Sequence, residues 1–575
     1  MNLERPTVLE VATEMALPQS VFAQANKKFG PVITRAMAMA TSVGGIGPLM
    51  RERIIAQTEQ NINVIGVGLL YENVWMQRTN TLGNLFLERK QVGPYFRRLL
   101  KKTKWTFPLV LFTGEQVKVS VWEVDLGITK AYFLSCPEVT NVVYPGEIDA
   151  PEGMADTGYW AHIFRLKQFW LLGRGSLALA KKMNKKPDFI VLSETPTIFA
   201  IHRLFQDRLQ KDPFFSKSKY IYNDHTPLEY AHPLWDAHTV KKLKIEPKYS
   251  LETRAWNSRT RHLDVTSMAV NVCDATFGVS KMHGATIRSM SSLRRYKTKI
   301  HVITNGVRKE DWQYPDFLLF EQKSDQELLQ IKSKRRNLMI DWLKTCGELP
   351  KEWVKKMRSR KIVLFTRRIT SYKRLDVLND ILSKPQFLRQ FLKLNVFLLV
   401  AGRVHQQDEV AYHTATSLGK QIEKNPRLKS RLMFLRNFNV WEAPHLYQGA
   451  DGAIMMSDKG QEASATGFMK SLLNGGTVIA TTDGAVPEFV HFFRKGRTQT
   501  LQDSFNGFKI AYKNGRPTTE SFLTCLKMFD TQLTRPKSHA VFIRAGLQKT
   551  RAVDIKRTAS EMRHLYLCHL GFRGL

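Results

Sequence analysis

Four cations stand within one short segment, Arg367-Arg368-Ile-Thr-Ser-Tyr372-Lys373-Arg374, directly after the apolar run Lys361–Thr366. Arginine grips phosphate bidentately and lysine adds a compact point charge, so the segment is a candidate anion site. The residues that follow, from Leu375 to about Lys384, have a helical pattern. A helix beginning there would turn its free amides and the positive end of its dipole toward the same anion. Taken alone the segment says that phosphate binds nearby, and a solvated charged loop has the same composition.

A second segment, Gln461-Glu462-Ala-Ser464-Ala465-Thr466-Gly467-Phe468-Met469-Lys470, follows another apolar run, Gly452–Met456. Its small residues let backbone approach a ligand, and Thr466 with Gly467 can open a helix that carries Lys470. Met469 and Leu472 flank that lysine. Apolar surroundings lower a lysine's pKa, which condensation with a carbonyl group requires. Position alone favours the blander reading, a surface lysine on an ordinary helix.

Both segments need strands to aim them. Short β-rich apolar runs alternate with helix-length amphipathic stretches, the pattern of parallel α/β sheets. The first series is Asn63–Leu70, Val117–Val124, Lys130–Ser135, Asp188–Ser193, Lys219–Tyr222 and Ala269–Val272, with Phe277–Ser280 ending another strand. The second is Lys361–Thr366, Asn395–Gly402, Arg431–Leu435, Gly452–Met456, Thr477–Thr481 and Phe508–Tyr512. Between them, Ser324-Asp-Gln-Glu327 reads as a capping box ahead of Leu328, Ile331, Leu338 and Trp342 on helical spacing. The expected organisation is an N-terminal Rossmann-like domain over 1–303, a C-terminal one over 304–543, and a helical segment over 544–575 that crosses back. Ligands of such sheets sit beyond the carboxyl ends of the strands, where the two chemistry-bearing segments fall.

Glu462-Ala-Ser-Ala-Thr-Gly-Phe-Met-Lys470-x-x-Leu-Asn-Gly-Gly, followed by Thr482-Asp483-Gly484-Ala485, resembles the pyridoxal-phosphate segment of the α-glucan (glycogen, starch, maltodextrin) phosphorylases. That pattern is Glu-Ala-Ser-Gly-Thr-x-x-Met-Lys-x-x-x-Asn-Gly, then Asp-Gly. Phe365 to Arg374 is similar to the family's phosphate segment, especially in its shorter microbial branch. Gly44-Gly45-Ile46-Gly47, His225-Thr226-Pro227, Thr304-Asn305-Gly306-Val307 with Trp312, and Ala401-Gly402-Arg403-x-His405 resemble further family segments in the same order. Any one of these is weak and the ordered set, over roughly residues 40 to 490, is specific.

The resemblance implies a retaining glycosyltransferase of the B-type fold, two Rossmann-like domains facing a central cleft. It implies pyridoxal 5'-phosphate on Lys470, with the cofactor's phosphate working beside the substrate phosphate. By the same resemblance Arg368 and Lys373 hold substrate phosphate. Arg367, Thr466, Gly467, Gly45 and Trp312 lie with the cofactor. Glu462, Ser464, Ala465, Tyr372, His225, Asn305 and Ile46 line the sugar, the His225 carbonyl near the anomeric centre. Two phosphates held close repel, which makes clustered cations necessary. The implied reaction is phosphorolysis of a glucan's non-reducing end to glucose 1-phosphate, in the cytoplasm and without metal. A homodimer is common in that family.

The chain also departs from the pattern. Ala465 replaces the usual glycine, Phe468 stands where long forms have Asn, Pro196 replaces a histidine after Ser193-Glu194-Thr195, and Phe438-Asn439 replaces a Tyr-Arg pair. The long forms' regulatory N-terminal extension has no counterpart, so allosteric control of that type is not expected. Two other readings stay open. A nucleotide-sugar glycosyltransferase shares the fold and cations without needing Lys470, and a silent relative would bind glucan or polyanions. A paired-carboxylate hydrolase fits poorly beside so many cations.

At 575 residues, 43% hydrophobic and 24% charged, the chain is too long for one core and suits two large domains. Apolar runs such as Val396 to Ala401 fall far short of a membrane span, and no export signal or membrane partner is expected. Cys136, Cys273, Cys346, Cys525 and Cys568 are scattered and odd in number, against a disulfide framework. His405, His413 and His445 lack metal-ligand spacing, and the helix around Trp342 and Trp353 reads as core rather than a sugar platform. Lys and Arg total 87 against 51 acids, a balance of +36, with ten cations and one acid from Lys351 to Arg374. Such charge raises nucleic-acid or other polyanion binding as a secondary property.

Overall fold

The computed structural model describes residues 5–80, 83–204, 212–246, 255–345, 351–405, 408–494 and 504–572. Cys346 lies outside the described residues, as do the side chains of Lys351 and Glu352. The chain divides into two compact units. Unit 1 comprises residues 1–74, 90–305 and 558–575, and unit 2 comprises 75–89 and 306–557.

Unit 1 is built on a nine-stranded sheet. Its strands in chain order are β1 (Thr7–Val11), β2 (Asn63–Leu69), β3 (Lys101–Val110), β4 (Gln116–Asp125), β5 (Lys130–Ser135), β6 (Phe189–Ser193), β7 (Lys219–Asn223), β8 (Ala275–Gly278) and β9 (Ile300–Val302). Their spatial order is β9-β8-β7-β6-β1-β2-β5-β4-β3. The seven strands from β9 to β5 are parallel, and β4 and β3 close one edge antiparallel. The central strands are buried throughout, which is why Phe-Ile-Val-Leu in β6 and Tyr-Ile-Tyr in β7 read as continuous apolar runs. The edge strand β3 carries exposed Lys101, Lys102, Lys104 and Pro108, residues that discourage pairing with another chain.

One expected strand is a helix. Ala269–Val272 forms the end of helix Val265–Val272, whose cap is Asp264, accepting from the Ser267 amide at 2.8 Å. The cap signal Asp264-Val-Thr-Ser outweighs the β-branched composition, and the strand follows at Ala275.

Unit 2 is built on six parallel strands, β10 (Lys361–Thr366), β11 (Val396–Ala401), β12 (Leu432–Leu435), β13 (Gly452–Met455), β14 (Thr477–Ala480) and β15 (Gly507–Lys509), ordered β12-β11-β10-β13-β14-β15. The run expected as Phe508–Tyr512 breaks after Lys509, and Tyr512 begins a separate two-residue strand. Val363, Phe365, Leu398, Ile454, Ile479 and Phe508 pack with Phe529 and Phe542 from covering helices in one core. The helix Asp325–Thr345 starts at the expected box, with the Ser324 amide donating to Glu327 Oε2 (2.7 Å) and the Glu327 amide to Ser324 Oγ (3.2 Å). Its buried face is Leu328, Met339, Ile340 and Leu343. Leu338, expected on that face, is 44% exposed because the stripe turns through Met339 instead. No described helix is long and apolar enough to cross a membrane.

Candidate active site

In unit 2 the chain leaves β10 for β11 on one side, and β13 pairs with β10 on the other. That reversal opens a crevice beyond the carboxyl ends of β10 and β13, the place where open α/β sheets bind ligands. The loops that follow these two strands carry both chemistry-bearing segments, and they are bonded to each other by the Asp458 amide on the Tyr372 carbonyl at 2.9 Å.

Arg367 is buried and forms an ion pair with Glu462, while its Nη1 donates to the Met456 carbonyl at 2.5 Å. Lys373 Nζ lies 3.8 Å from the same carboxylate and 5.3 Å from the Tyr372 ring centroid. Burial would raise the Glu462 carboxyl, and Lys373 with Arg367 overcomes that, holding it below its ordinary value. Burial, with Arg367 and Arg368 adding repulsion against the pull of Glu462, brings the Lys373 ammonium down to about 8. Arg368 is half-buried and forms no hydrogen bond or ion pair with the described residues. Arg374 belongs to the scaffold rather than to the anion site. It adopts φ 56° and is held by Asp376 (2.9 and 2.7 Å) and Asp458 (2.8 Å), so of the four cations read as one anion site Arg374 and Arg367 already have carboxylate partners.

The second loop is organised by Asp483, which the sequence offered only as part of a motif. Its Oδ2 accepts from Ser457 Oγ (3.0 Å) and the amides of Gln461 (3.1 Å) and Glu462 (3.0 Å). Gly484 has φ 57°, and a Cβ there would meet the Ser464 carbonyl at 3.0 Å. Ala465 also has a left-handed φ, 66°, at the position where the family pattern has glycine. The Ser464 hydroxyl and Arg367 Nε are buried without a hydrogen-bond partner.

Thr466 precedes the helix Gly467–Leu472, although its side chain makes no capping bond. A Cβ on Gly467 would fall 2.6 Å from Met455 Cε and 2.7 Å from the Tyr447 hydroxyl, so the glycine permits the close approach. Lys470 is 8% exposed, with Nζ 3.8 Å from the ring centroid of fully buried Trp312 and 5.9 Å from that of Tyr447. Asn474, at the end of this helix, donates to the carbonyls of Trp312 and Lys470, both at 2.9 Å. His445 packs face to face on Trp342, with ring centroids 4.6 Å apart.

Unit 1 carries the remaining candidates at the carboxyl end of its own sheet. The glycine loop leads into helix α1 (Ile46–Glu59), with Gly45 exposed and Ile46 half-buried. Glu14, just beyond β1, fixes this loop by accepting from the amides of Val43 (2.7 Å) and Gly44 (3.1 Å). His225 follows β7, and Asn305 follows β9 with its amide on the Val279 carbonyl at 3.1 Å. Glu194, after β6, has φ 69° and ψ 167°. It accepts from the His225 amide at 2.8 Å and from Thr226 Oγ1 at 3.0 and 3.2 Å. Nothing in the motifs assigns Glu194 a role; its place one residue past a strand end was the available signal.

Fold and site together define an α/β protein with a cation-lined crevice and a buried lysine at a sheet's switch point. Residues 318–497 match the family model for carbohydrate phosphorylases. The chain is 23% identical over 505 residues to a glycogen phosphorylase of Aquifex aeolicus, an alignment covering 77% of this chain and 71% of that one. It is 22% identical over 497 residues to a maltodextrin phosphorylase of Thermococcus litoralis, covering 77% of this chain and 58% of that one. A glycogen phosphorylase of Mycobacterium tuberculosis is 26% identical over 262 residues, 38% of this chain and 30% of the relative. The chain is thus similar in sequence to carbohydrate phosphorylases, in line with the ordered motifs.

Proposed function

We propose that the protein is an α-1,4-glucan phosphorylase of the glycosyltransferase B type, releasing glucose 1-phosphate from a non-reducing end with retention of configuration. The observation that carries this reading is the pairing of the loops after β10 and β13. They set Arg367 on Glu462 and Lys373 within 3.8 Å of it, beside a helix whose lysine is buried against Trp312.

The unit 2 residues fit pyridoxal 5'-phosphate. Lys470 lies on aromatic faces, Gly467 leaves room for close approach, and buried Arg367 Nε and Ser464 Oγ await acceptors or donors. Lys470 would anchor the group, with Thr466, Gly467, Arg367 and Trp312 around it; Gly45 is the cofactor candidate of unit 1. When bound, it supplies a second phosphate able to exchange a proton with the substrate phosphate.

The chain's own residues do the rest. Arg368 and Lys373 hold inorganic phosphate against the repulsion of any neighbouring anion, and as fixed cations they need no reorganisation as charge develops. As the C1–O4 bond breaks, O4 leaves with the proton that the inorganic phosphate carried, and a phosphate oxygen, facing the positive character on C1, bonds to it to give glucose 1-phosphate. Glu462, kept ionised by Arg367 and Lys373, offers acceptor oxygens to sugar hydroxyls, with Ser464, Ala465 and Tyr372 as the other candidates in unit 2; Asn305, Ile46 and His225 are the sugar candidates of unit 1.

The test is borohydride reduction of protein supplied with the cofactor, peptide mass spectrometry, and an assay for glucose 1-phosphate from maltodextrin and phosphate. A pyridoxyl group on Lys470 with phosphate-dependent release is expected, and Arg368→Ala should lower kcat/KM at least about a hundredfold. An unmodified Lys470, or turnover only with a nucleotide sugar, overturns the proposal.

A further inference from the structure

Beneath His225 runs a buried chain of polar groups that nothing above assigns. Arg53, on α1, donates through Nη2 to Glu10 Oε2 (2.6 Å) and Ser193 Oγ (3.1 Å), and through Nη1 to Asn223 Oδ1 (2.7 Å). Asn223 Oδ1 also lies 2.8 Å from His225 Nε2. Arg53 is 1% exposed, and Glu10 and Asn223 are fully buried.

Donor and acceptor chemistry decides the protonation of this chain. Guanidinium has no acceptor, so the atom of Asn223 that meets it must be the carbonyl oxygen. The Asn223 amide nitrogen, turned the other way, donates to the Phe277 carbonyl at 3.3 Å. An oxygen facing His225 Nε2 can only accept, so Nε2 carries a proton. Burial, the Arg53 charge and His283 each disfavour a second proton on the ring. The main chain of His225 is pinned independently by Glu194.

We propose that Arg53 and Asn223 are positioning residues that hold His225 as the neutral Nε2–H tautomer, leaving Nδ1 as an acceptor for a hydroxyl group of the bound sugar. The sugar in this statement rests on the phosphorylase reading; the tautomer does not.

The test is the nitrogen spectrum of histidine-labelled protein, assigned with His225→Gln, together with the variant Asn223→Asp. Wild-type His225 should show a protonated Nε2 and an unprotonated Nδ1 from pH 6 to 8. In Asn223→Asp a carboxylate joins Arg53 and His283, which act on the ring, and Glu194 and Asp224, which meet the His225 backbone, with His232 beyond them on Asp224. The His225 pKa should then rise by about one unit or more. The variant's kcat/KM for glucan should fall about tenfold at pH 6 and recover as pH rises, with the KM for phosphate unchanged. A wild-type ring protonated at Nδ1 at pH 7 would overturn the proposal, as would an unshifted titration in the variant. Should the variant fail to fold, the wild-type spectrum alone decides. Absence of phosphorolysis in the wild type would sink the phosphorylase reading while leaving the tautomer measurement intact.

Discussion

Ala465 holds φ 66°, a conformation that costs an L-residue about 1–2 kcal/mol and glycine almost nothing. Glycine gives back roughly 0.5–1 kcal/mol through its freer unfolded chain. Ala465→Gly should therefore stabilise the protein by about 0.5–1 kcal/mol, read as a higher denaturant midpoint at constant m. A lower midpoint would mean that the methyl group packs productively. Lys373 makes a second prediction. Its ammonium, brought down to about 8 chiefly by burial, is lost as pH rises through that value. The KM for phosphate should climb above pH 8, and Lys373→Arg should flatten that limb. An identical alkaline limb in the variant would assign the effect elsewhere.

The helix Gly467–Leu472 is six residues long, too short to hold itself, so its neighbours must place it. Asn474 is the main tie. Besides the two carbonyls it bonds, its Oδ1 accepts from the Tyr314 amide at 2.8 Å, and its own carbonyl accepts from fully buried Lys332 at 2.8 Å. This one residue joins the Lys470 helix, the Trp312 segment and the helix Asp325–Thr345. Asn474→Ala leaves several buried groups without partners and should cost about 2–3 kcal/mol. It should also slow carbonyl labelling of Lys470 by loosening Trp312. Unchanged stability would show that water replaces the amide.

At the scale of the whole molecule, two buried acid sites, one in each unit, respond to pH in opposite senses. In unit 1, burial first and the Asp224 charge second push the Glu194 carboxyl up to about 8, and burial brings Asp224 up to about 7. Folded values above the unfolded ones favour the protonated acids, so this stability is present at acid pH and is lost as pH rises from about 4 through 8. In unit 2, Glu462 lies below its ordinary value, so its contribution is present at neutral pH and is lost on acidification. Glu194→Gln keeps the acceptor for His225 and Thr226 and removes the titration. Its calorimetric transition should exceed wild type at pH 8 and draw level near pH 5. An equal gap at both values would refute the linkage.

Most strands were legible in the sequence because parallel strands covered on both faces must be apolar throughout, and both site segments were legible because they follow such strands. The capping box at Ser324 and the helix after Thr466 were legible for the same local reason: caps and small residues act within a few positions. Ala269–Val272 shows the limit, since β-branched composition says little against a strong cap. Only the tertiary structure decided which charges are spoken for. Arg367 meets a carboxylate 95 residues away, Arg374 is tied to Asp458, and Arg53 reaches Asn223 across 170 residues. Charge and hydrogen bonding act through space, and the partner a buried cation finds depends on where the sheets bring distant loops together.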